Sequence, residues 1–182
     1  MTNELVTGEV FGEDKEGPRA FLLAEAGKPF AALRPALDAA YSRLLAALRG
    51  VSEAQASFKP GGEDEDAYSI GQIVRHVARV QAWIESRMRA TAQGNDPERF
   101  VSEIGREEKP LAGSTHDLEE TYRLLNAAAD EIAGREDVAK TAPHPFFGEL
   151  NCRGWYRLAG LHAEDHARQV ERIKAIPEYP KE

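Results

Sequence analysis

Two histidines, His162 and His166, lie four residues apart within an apolar helical pattern near the end of the chain. A helix turns by about 100° per residue, so both imidazoles fall on one face, one turn apart. The same face carries the apolar residues Trp155, Leu158, Ala159 and Ile173. Burying an imidazole without a hydrogen-bond partner costs about 1–3 kcal/mol, so the pair needs polar partners in the core. A metal ion is one partner that two histidines at this spacing can share.

Four long stretches carry apolar residues at helical spacing, and little of the chain alternates as a strand does. The predicted helices lie within 30–49, from Ser69 to about Ala92, from Ser114 or Thr115 to about Ala133, and from Cys152 to about Ala175. Ser69 and Gln72 have capping-box spacing, Asn151 is a candidate N-cap, and Pro35 either opens or kinks the first helix. The pattern predicts an all-α fold, a bundle of four antiparallel helices.

The length of 182 residues indicates one domain with a substantial core. We expect residues 29–182 to form the bundle and residues 1–28 to be a short N-terminal extension. The extension is either packed on the body, or a flap over a site, or an arm exchanged in a dimer. Its residues 5–12 have weak strand character, and residues 19–27 fit a short helix. The acidic run 63–66 indicates a solvated loop.

Charge and cysteine content exclude several classes of protein. A formal net charge of −8 argues against nucleic acid or an anionic membrane as a partner, because binding phosphates needs a basic surface. A single cysteine, Cys152, allows neither an intramolecular disulfide nor a cysteine-based zinc knuckle. No apolar run approaches the roughly 18 residues of a membrane span, and no signal-peptide pattern begins the chain. We therefore expect a cytoplasmic protein.

A third histidine, His76, replaces a core residue on the apolar face of the second predicted helix. In a bundle, a side chain midway along one helix can meet a pair midway along another. Three neutral imidazoles with one open position are the usual arrangement of a reactive divalent-metal site. A lone buried histidine is more often a core residue with a hydrogen-bond partner, so the combination of His76, His162 and His166 carries the metal prediction. His116, in a polar helical turn, is expected to be exposed.

Other polar and aromatic residues around these faces leave alternatives open. Asp165 and Gln169 either orient the histidines or make contacts between crossing helices. His144 either lines the mouth of a site or makes a structural hydrogen bond. Trp83 and Trp155 share the faces of the histidines, which fits both a pocket wall and simple core packing.

Cys152 lies where the start of a helix can lower a thiol pKa, which suggests a nucleophile. Ten residues separate it from His162, which corresponds to about 15 Å along the helix axis. We therefore expect Cys152 to be neither a metal ligand nor the nucleophile. No residue stands out as a general base, so the catalytic residues are unknown.

Three segments resemble parts of DinB-like proteins (DinB/YfiT type), a superfamily that includes metal-dependent hydrolases. They are YSIGQIVRHV at 68–77, HPFFGELNCRGW at 144–155 and LHAEDHARQV at 161–170. The resemblance covers roughly residues 33–176, in the family's order and spacing. Two positions depart from it, since Asp165 stands where many relatives have a histidine and Tyr68 where a tryptophan is frequent.

The resemblance implies a four-helix bundle in up-up-down-down topology, often as a homodimer. It also implies one divalent metal bound by His76, His162 and His166. Zinc, nickel, iron and manganese all suit imidazole ligands. Relatives are described as metal-dependent hydrolases or as thiol-dependent S-transferases and isomerases. We therefore expect an enzyme that acts on a small molecule, with a low-molecular-weight thiol as a candidate cosubstrate. The alternative is a non-catalytic metal-binding or interaction bundle involved in stress response.

Overall fold

The computed structural model describes residues 16–61, 68–95 and 104–181. Its helices are α1 (Glu16–Glu25), α2 (Phe30–Leu48), α3 (Glu53–Ser57), α4 (Ile70–Gln93), α5 (Leu111–Ile132) and α6 (Cys152–Lys174). Two short strands, β1 (Ala142–His144) and β2 (Gly148–Leu150), pair antiparallel between α5 and α6. The weak strand predicted within 5–12 and the acidic loop at 63–66 lie outside the described residues.

Helices α2, α4, α5 and α6 pack as a four-helix bundle, which confirms the all-α prediction. Helix α6 lies against both α2 and α4, and α5 lies against α4 and α2. Because α1 and β2 also contact α6, this helix is buried around most of its circumference. Polar side chains on α6 are therefore shielded from water.

The starts of two bundle helices follow directly from their capping residues. At α4, the Ser69 hydroxyl accepts from the backbone N–H of Gln72, while the Gln72 side chain accepts from the backbone N–H of Ser69. At α6, the Asn151 side chain accepts from the backbone N–H of Gly154 at 2.9 Å. Both caps satisfy backbone donors that a helix start leaves free. Pro35 lies inside α2 and does not open it.

The directions of the helices differ from the up-up-down-down order. Helices α2 and α6, the first and last of the bundle, run parallel. At one end the rings of Phe30 and Tyr156 pack 5.3 Å apart, and at the other end Lys174 donates to the backbone carbonyl of Ala47. The last helix, α6, therefore points in the same direction as the first helix of the bundle, α2.

The two middle helices of the bundle, α4 and α5, also run parallel to each other. Thr121 of α5 donates to the Gln81 side chain of α4. More than two turns closer to the C-terminal end of each helix, Arg89 of α4 pairs with Glu131 of α5. The contacts between α2 and α5 run in the opposite sense. The order is therefore up, down, down, up, which corrects the topology that the resemblance implies.

A parallel α4–α5 pair requires the chain to travel back along the bundle after α4. Helix α4 has 24 residues and is about 36 Å long, whereas residues 94–110 can span up to about 55 Å. By Gly105 the chain is again beside the start of α4, against the carbonyl of Arg75. Gly105 has a φ of 75°, and a Cβ there would lie 2.2 Å from that oxygen, so only glycine fits this approach.

Helix α5 begins at Leu111, three residues before the predicted start at Ser114. The residue before it, Pro110, offers no side-chain cap. Instead, both carboxylate oxygens of Glu53, on α3, accept from the backbone N–H of Leu111, at 2.8 and 3.0 Å. A carboxylate at this position also suits the positive end of the helix dipole. The cap lies far away in sequence, which is why local pattern missed it.

The described part of the N-terminal extension packs on the body of the bundle. Leu22 of α1 is completely buried, and its neighbour Leu23 is 48% exposed. Asn151 donates to the carbonyl of Ala26, and the Arg157 guanidinium pairs with Glu25 at 3.4 Å. Helix α1 thereby covers part of α6.

We predict that Leu22→Ala lowers the free energy of unfolding by about 2–5 kcal/mol, because it leaves a cavity beneath α1. The matched change Leu23→Ala removes an exposed side chain and should cost less than about 0.5 kcal/mol. Urea denaturation followed by circular dichroism measures both. Equal, small losses for the two variants would show that α1 does not pack on the bundle in solution.

Candidate metal centre

The three predicted histidines meet between α4 and α6. The Nε2 atom of His162 lies 3.2 Å from Nε2 of His76 and 3.1 Å from Nε2 of His166. Candidate ligand atoms of all three lie within 4.8 Å of one another. His162 and His166 are buried and His76 is half-buried. The structure thus brings together the residues that the sequence singled out.

The antiparallel packing of α4 on α6 creates this convergence. His76 lies in the second turn of α4, nearer to its start than predicted, whereas His162 and His166 lie in the middle of α6. The start of α4 therefore meets the middle of α6. Among the described residues, this is the group of three or more histidine, cysteine or acidic side chains that is close enough to hold a metal ion.

Gln169 fixes the orientation and the tautomer of one histidine. Its side-chain oxygen lies 2.7 Å from Nδ1 of His166 and accepts a hydrogen bond from it. The proton of a neutral His166 ring is therefore on Nδ1, and the lone pair of Nε2 faces the other histidines. This contact supports the orienting role for Gln169. Asp165 is buried on the same helix.

Burial keeps all three imidazoles neutral at physiological pH. It lowers the pKa of His76 to about 4 and that of His162 well below its usual value, and nearby histidines add to both shifts. Burial also lowers the pKa of His166, although the hydrogen bond that His166 donates to Gln169 opposes this. Neutral imidazoles are the form that binds metal ions, so the site needs little deprotonation before binding.

The donor set of the cluster fits a divalent transition metal. The Nε2 atom of His162 lies within hydrogen-bond distance of two other nitrogens, and one proton cannot serve both contacts fully. Nitrogen ligands about 2.1 Å from a tetrahedral ion lie about 3.4 Å apart, close to the two observed separations. A cation between the rings would satisfy the converging lone pairs together.

His144 makes the structural hydrogen bond that was one of its two alternatives. It ends strand β1, and its Nδ1 accepts from the backbone N–H groups of Phe146 and Phe147 at 3.1 and 3.3 Å. Its ring stacks on Phe147 with the centroids 4.8 Å apart. The hairpin that holds it was not predicted, although Pro145 followed by Gly148, here at a φ of 71°, is a recognisable turn signal.

Cys152 is unsuited to nucleophilic chemistry. It is completely buried at the start of α6, and burial, with the charge of Glu136, raises the pKa of its thiol to about 11. The thiol therefore stays protonated at physiological pH. It also lies outside the three-histidine group, as expected from its position along the helix.

The two tryptophans lie against each other on the same two helices as the three histidines. The rings of Trp83 and Trp155 have their centroids 5.2 Å apart, and His144 contacts both. Arg87 lies over the Trp83 ring, 5.4 Å from its centroid, and was not singled out from the sequence. Arg87 follows Trp83 by four residues on a predicted helix, and this spacing could have indicated that the two side chains are in contact.

None of the described helices is both long and apolar enough for a membrane crossing.

The molecule is a four-helix bundle with a buried three-histidine cluster between its second and last helices. The model of the DinB superfamily matches residues 36–170, so the chain belongs to that superfamily. It is similar to TT2238, a four-helix bundle protein with a crystal structure, at 26% identity and a TM-score of 0.56. That similarity covers 78% of this chain and 97% of TT2238. No curated protein matches the chain.

We predict that the metal-free protein loses stability as the pH falls from 7 to 5. The unfolded chain takes up protons on histidines below about pH 6.5, whereas folded His76 stays neutral down to about pH 4. Because the unfolded state then binds more protons, each such histidine lowers the free energy of unfolding by up to about 1.4 kcal/mol per pH unit.

Urea denaturation at both pH values, with a chelator present, measures this loss. His76→Gln should reduce the pH dependence, and the same change at exposed His116 is the matched control. An unchanged slope in His76→Gln would show that His76 is not held neutral in the folded protein.

Proposed function

We propose that this DinB-superfamily protein binds one divalent transition-metal ion through His76, His162 and His166 and is a metal-dependent enzyme acting on a small molecule. The observation that carries the proposal is the convergence of three neutral imidazole nitrogens, two of them buried, within one site. Burying three polar rings together has a desolvation cost, and a metal ion shared by the three would offset it. Zinc, nickel, iron and manganese are the candidate ions.

The residues of the chain have separable roles in this proposal. The Nε2 atoms of His76, His162 and His166 would coordinate the ion, and Gln169 holds His166 in the tautomer with its lone pair on Nε2. Burial of α6 keeps the rings neutral and excludes water from most of their surface. A bound metal would supply either a hydroxide nucleophile, by lowering the pKa of a water molecule, or an activated thiolate.

Two reactions suit such a centre, hydrolysis and transfer to or from a low-molecular-weight thiol. Cys152 does not supply the thiol, because it is completely buried and stays protonated. A thiol-dependent reaction therefore needs a small thiol as cosubstrate. We further propose that the protein is a cytoplasmic homodimer and that residues 29–182 are its domain.

Elemental analysis of untagged protein, purified without added metal, tests the proposal. We predict about one equivalent of a divalent transition metal, and its loss in His76→Ala, His162→Ala and His166→Ala with the helix content largely retained. His116→Ala, at an exposed histidine of α5, should keep the metal. Protein that holds no metal and takes up neither zinc, nickel nor manganese would contradict the site.

A metal-loaded protein should then be assayed with hydrolysable esters and amides, and with small thiols plus electrophiles. Turnover that disappears in His166→Ala identifies the reaction class. Stoichiometric metal without turnover, and without thiol binding detected by isothermal titration calorimetry, favours the non-catalytic alternative.

We also predict that Gln169→Met weakens metal binding about 10–100-fold, because His166 loses the hydrogen bond that orients it. A competition titration with a chromophoric chelator measures the change. Gln93→Met, at the exposed end of α4, is the matched control and should bind metal as the unmodified protein does. Equal affinities in the two variants would remove Gln169 from the site.

A further inference from the structure

A second group of side chains lies along the same two helices, away from the histidines. Trp83 follows His76 by two turns on α4, and Trp155 precedes His162 by two turns on α6. Because these helices are antiparallel, both tryptophans are displaced in the same direction, about 10 Å along the bundle. Together with Arg87 and His144 they form what we call the tryptophan cluster.

The indole of Trp155 contributes a buried donor that has no acceptor. Trp155 is completely buried, and its Nε1–H makes no hydrogen bond with any described residue. Its perpendicular contact with the Trp83 ring offers at most a weak aromatic acceptor. Buried N–H groups are nearly always hydrogen-bonded in folded proteins, so this donor points to a ligand.

Arg87 adds a positive charge and a second buried N–H donor. Its guanidinium lies over the Trp83 ring, and its buried Nε has no hydrogen-bond partner in the described part of the chain. Arg89, two residues further along α4, instead pairs with Glu85 and Glu131. Within the described ranges no carboxylate pairs with Arg87, so its charge is available to an anion.

His144 supplies a third donor. Because its Nδ1 accepts two backbone hydrogen bonds, the neutral ring carries its proton on Nε2. Burial and the charge of Arg87 lower the pKa of His144 to about 4, so the ring stays neutral. The side chain contacts both Trp83 and Trp155, with ring centroids 5.8 and 5.4 Å away.

We propose that the tryptophan cluster is a subsite for an anionic oxygen group, of the carboxylate type, on the small molecule that reacts at the three histidines. The inference deepens the proposed function and rests on it for the reacting end. Apart from Nδ1 of His144, which accepts the two backbone hydrogen bonds, the polar groups described in the cluster are N–H donors. One of them is positively charged, so an anionic acceptor suits the cluster better than a neutral one, and a cation does not suit it. Trp83 is half-buried and the Phe146 ring beside His144 is exposed, so one edge of the cluster borders solvent.

The separation of the two sites defines the class of substrate. A molecule that uses both would carry its anionic group about 10 Å from the atom that reacts, with an apolar or flexible segment between them. The aromatic faces of Trp83 and Trp155 suit such a segment. Short neutral esters and amides would lack the anchoring group and would be poor substrates.

Tryptophan fluorescence tests the subsite without any catalytic assay. Both tryptophans of the chain lie in the cluster, so the signal reports on this place alone. Hexanoate is the probe, and hexanamide is its neutral control. We expect a saturable change with hexanoate in metal-free and metal-loaded protein, with binding at least 10-fold weaker for hexanamide.

Substitutions then assign the binding to named groups. Arg87→Gln should weaken hexanoate binding at least fivefold, and Arg89→Gln, on the same helix, should leave it unchanged. Trp155→Phe keeps an aromatic ring but removes the N–H, and Trp83 remains as the reporter. It should also bind hexanoate more weakly. Circular dichroism melting checks that each variant is folded. Arg87 is partly exposed, whereas Trp155 is completely buried, so we expect Arg87→Gln to perturb folding less than Trp155→Phe.

Three outcomes would overturn the subsite, whatever the metal content of the protein. They are no response to hexanoate, equal binding of hexanoate and hexanamide, or equal affinities in Arg87→Gln and Arg89→Gln. The proposed function fails separately, through absence of metal. Protein that takes up no metal but binds hexanoate through Arg87 would support the subsite while contradicting the metal centre.

Discussion

The antiparallel contact between α4 and α6 is the constraint on which the site depends. It brings His76 from one helix to His162 and His166 on the other, with nitrogen separations of 3.1 and 3.2 Å. Helices α1, α2 and α4 cover α6 and remove most of its surface from water. The rings of His162 and His166 are therefore buried. A divalent cation bound there would be coordinated by nitrogens from both helices at once.

The same burial has opposite chemical effects on different residues of α6. It lowers the pKa values of His162 and His166, which leaves their nitrogens neutral and able to bind a cation. It raises the pKa of Cys152 to about 11, which leaves the thiol inert. Desolvation always disfavours the charged form, which for imidazole is protonated and for a thiol is deprotonated. One helix thus holds potential ligands and an unreactive cysteine ten residues apart.

The register of α4 against α6 also links the two places that we propose as functional. Each histidine-bearing helix carries a tryptophan two turns away, and the antiparallel arrangement puts both tryptophans on one side of the histidines. His144, in the hairpin β1–β2, contacts both tryptophans, and two backbone hydrogen bonds to its Nδ1 hold its ring in place. The proposed metal centre is formed by nitrogen lone pairs and the proposed subsite by N–H donors. Such an arrangement favours an elongated, negatively charged molecule.

The sequence by itself determined the four bundle helices, the caps at Ser69 and Asn151, and the three-histidine set, because periodicity and capping depend on residues within a few positions of one another. Tertiary structure alone decided the up-down-down-up order, the start of α5 at Leu111 and the position of Arg87 over Trp83. The cap on α5 comes from Glu53, 58 residues earlier, and no local pattern records such a contact. Helix directions depend on the path of the connections and on which faces pack together. Those choices are made only when distant parts of the chain meet.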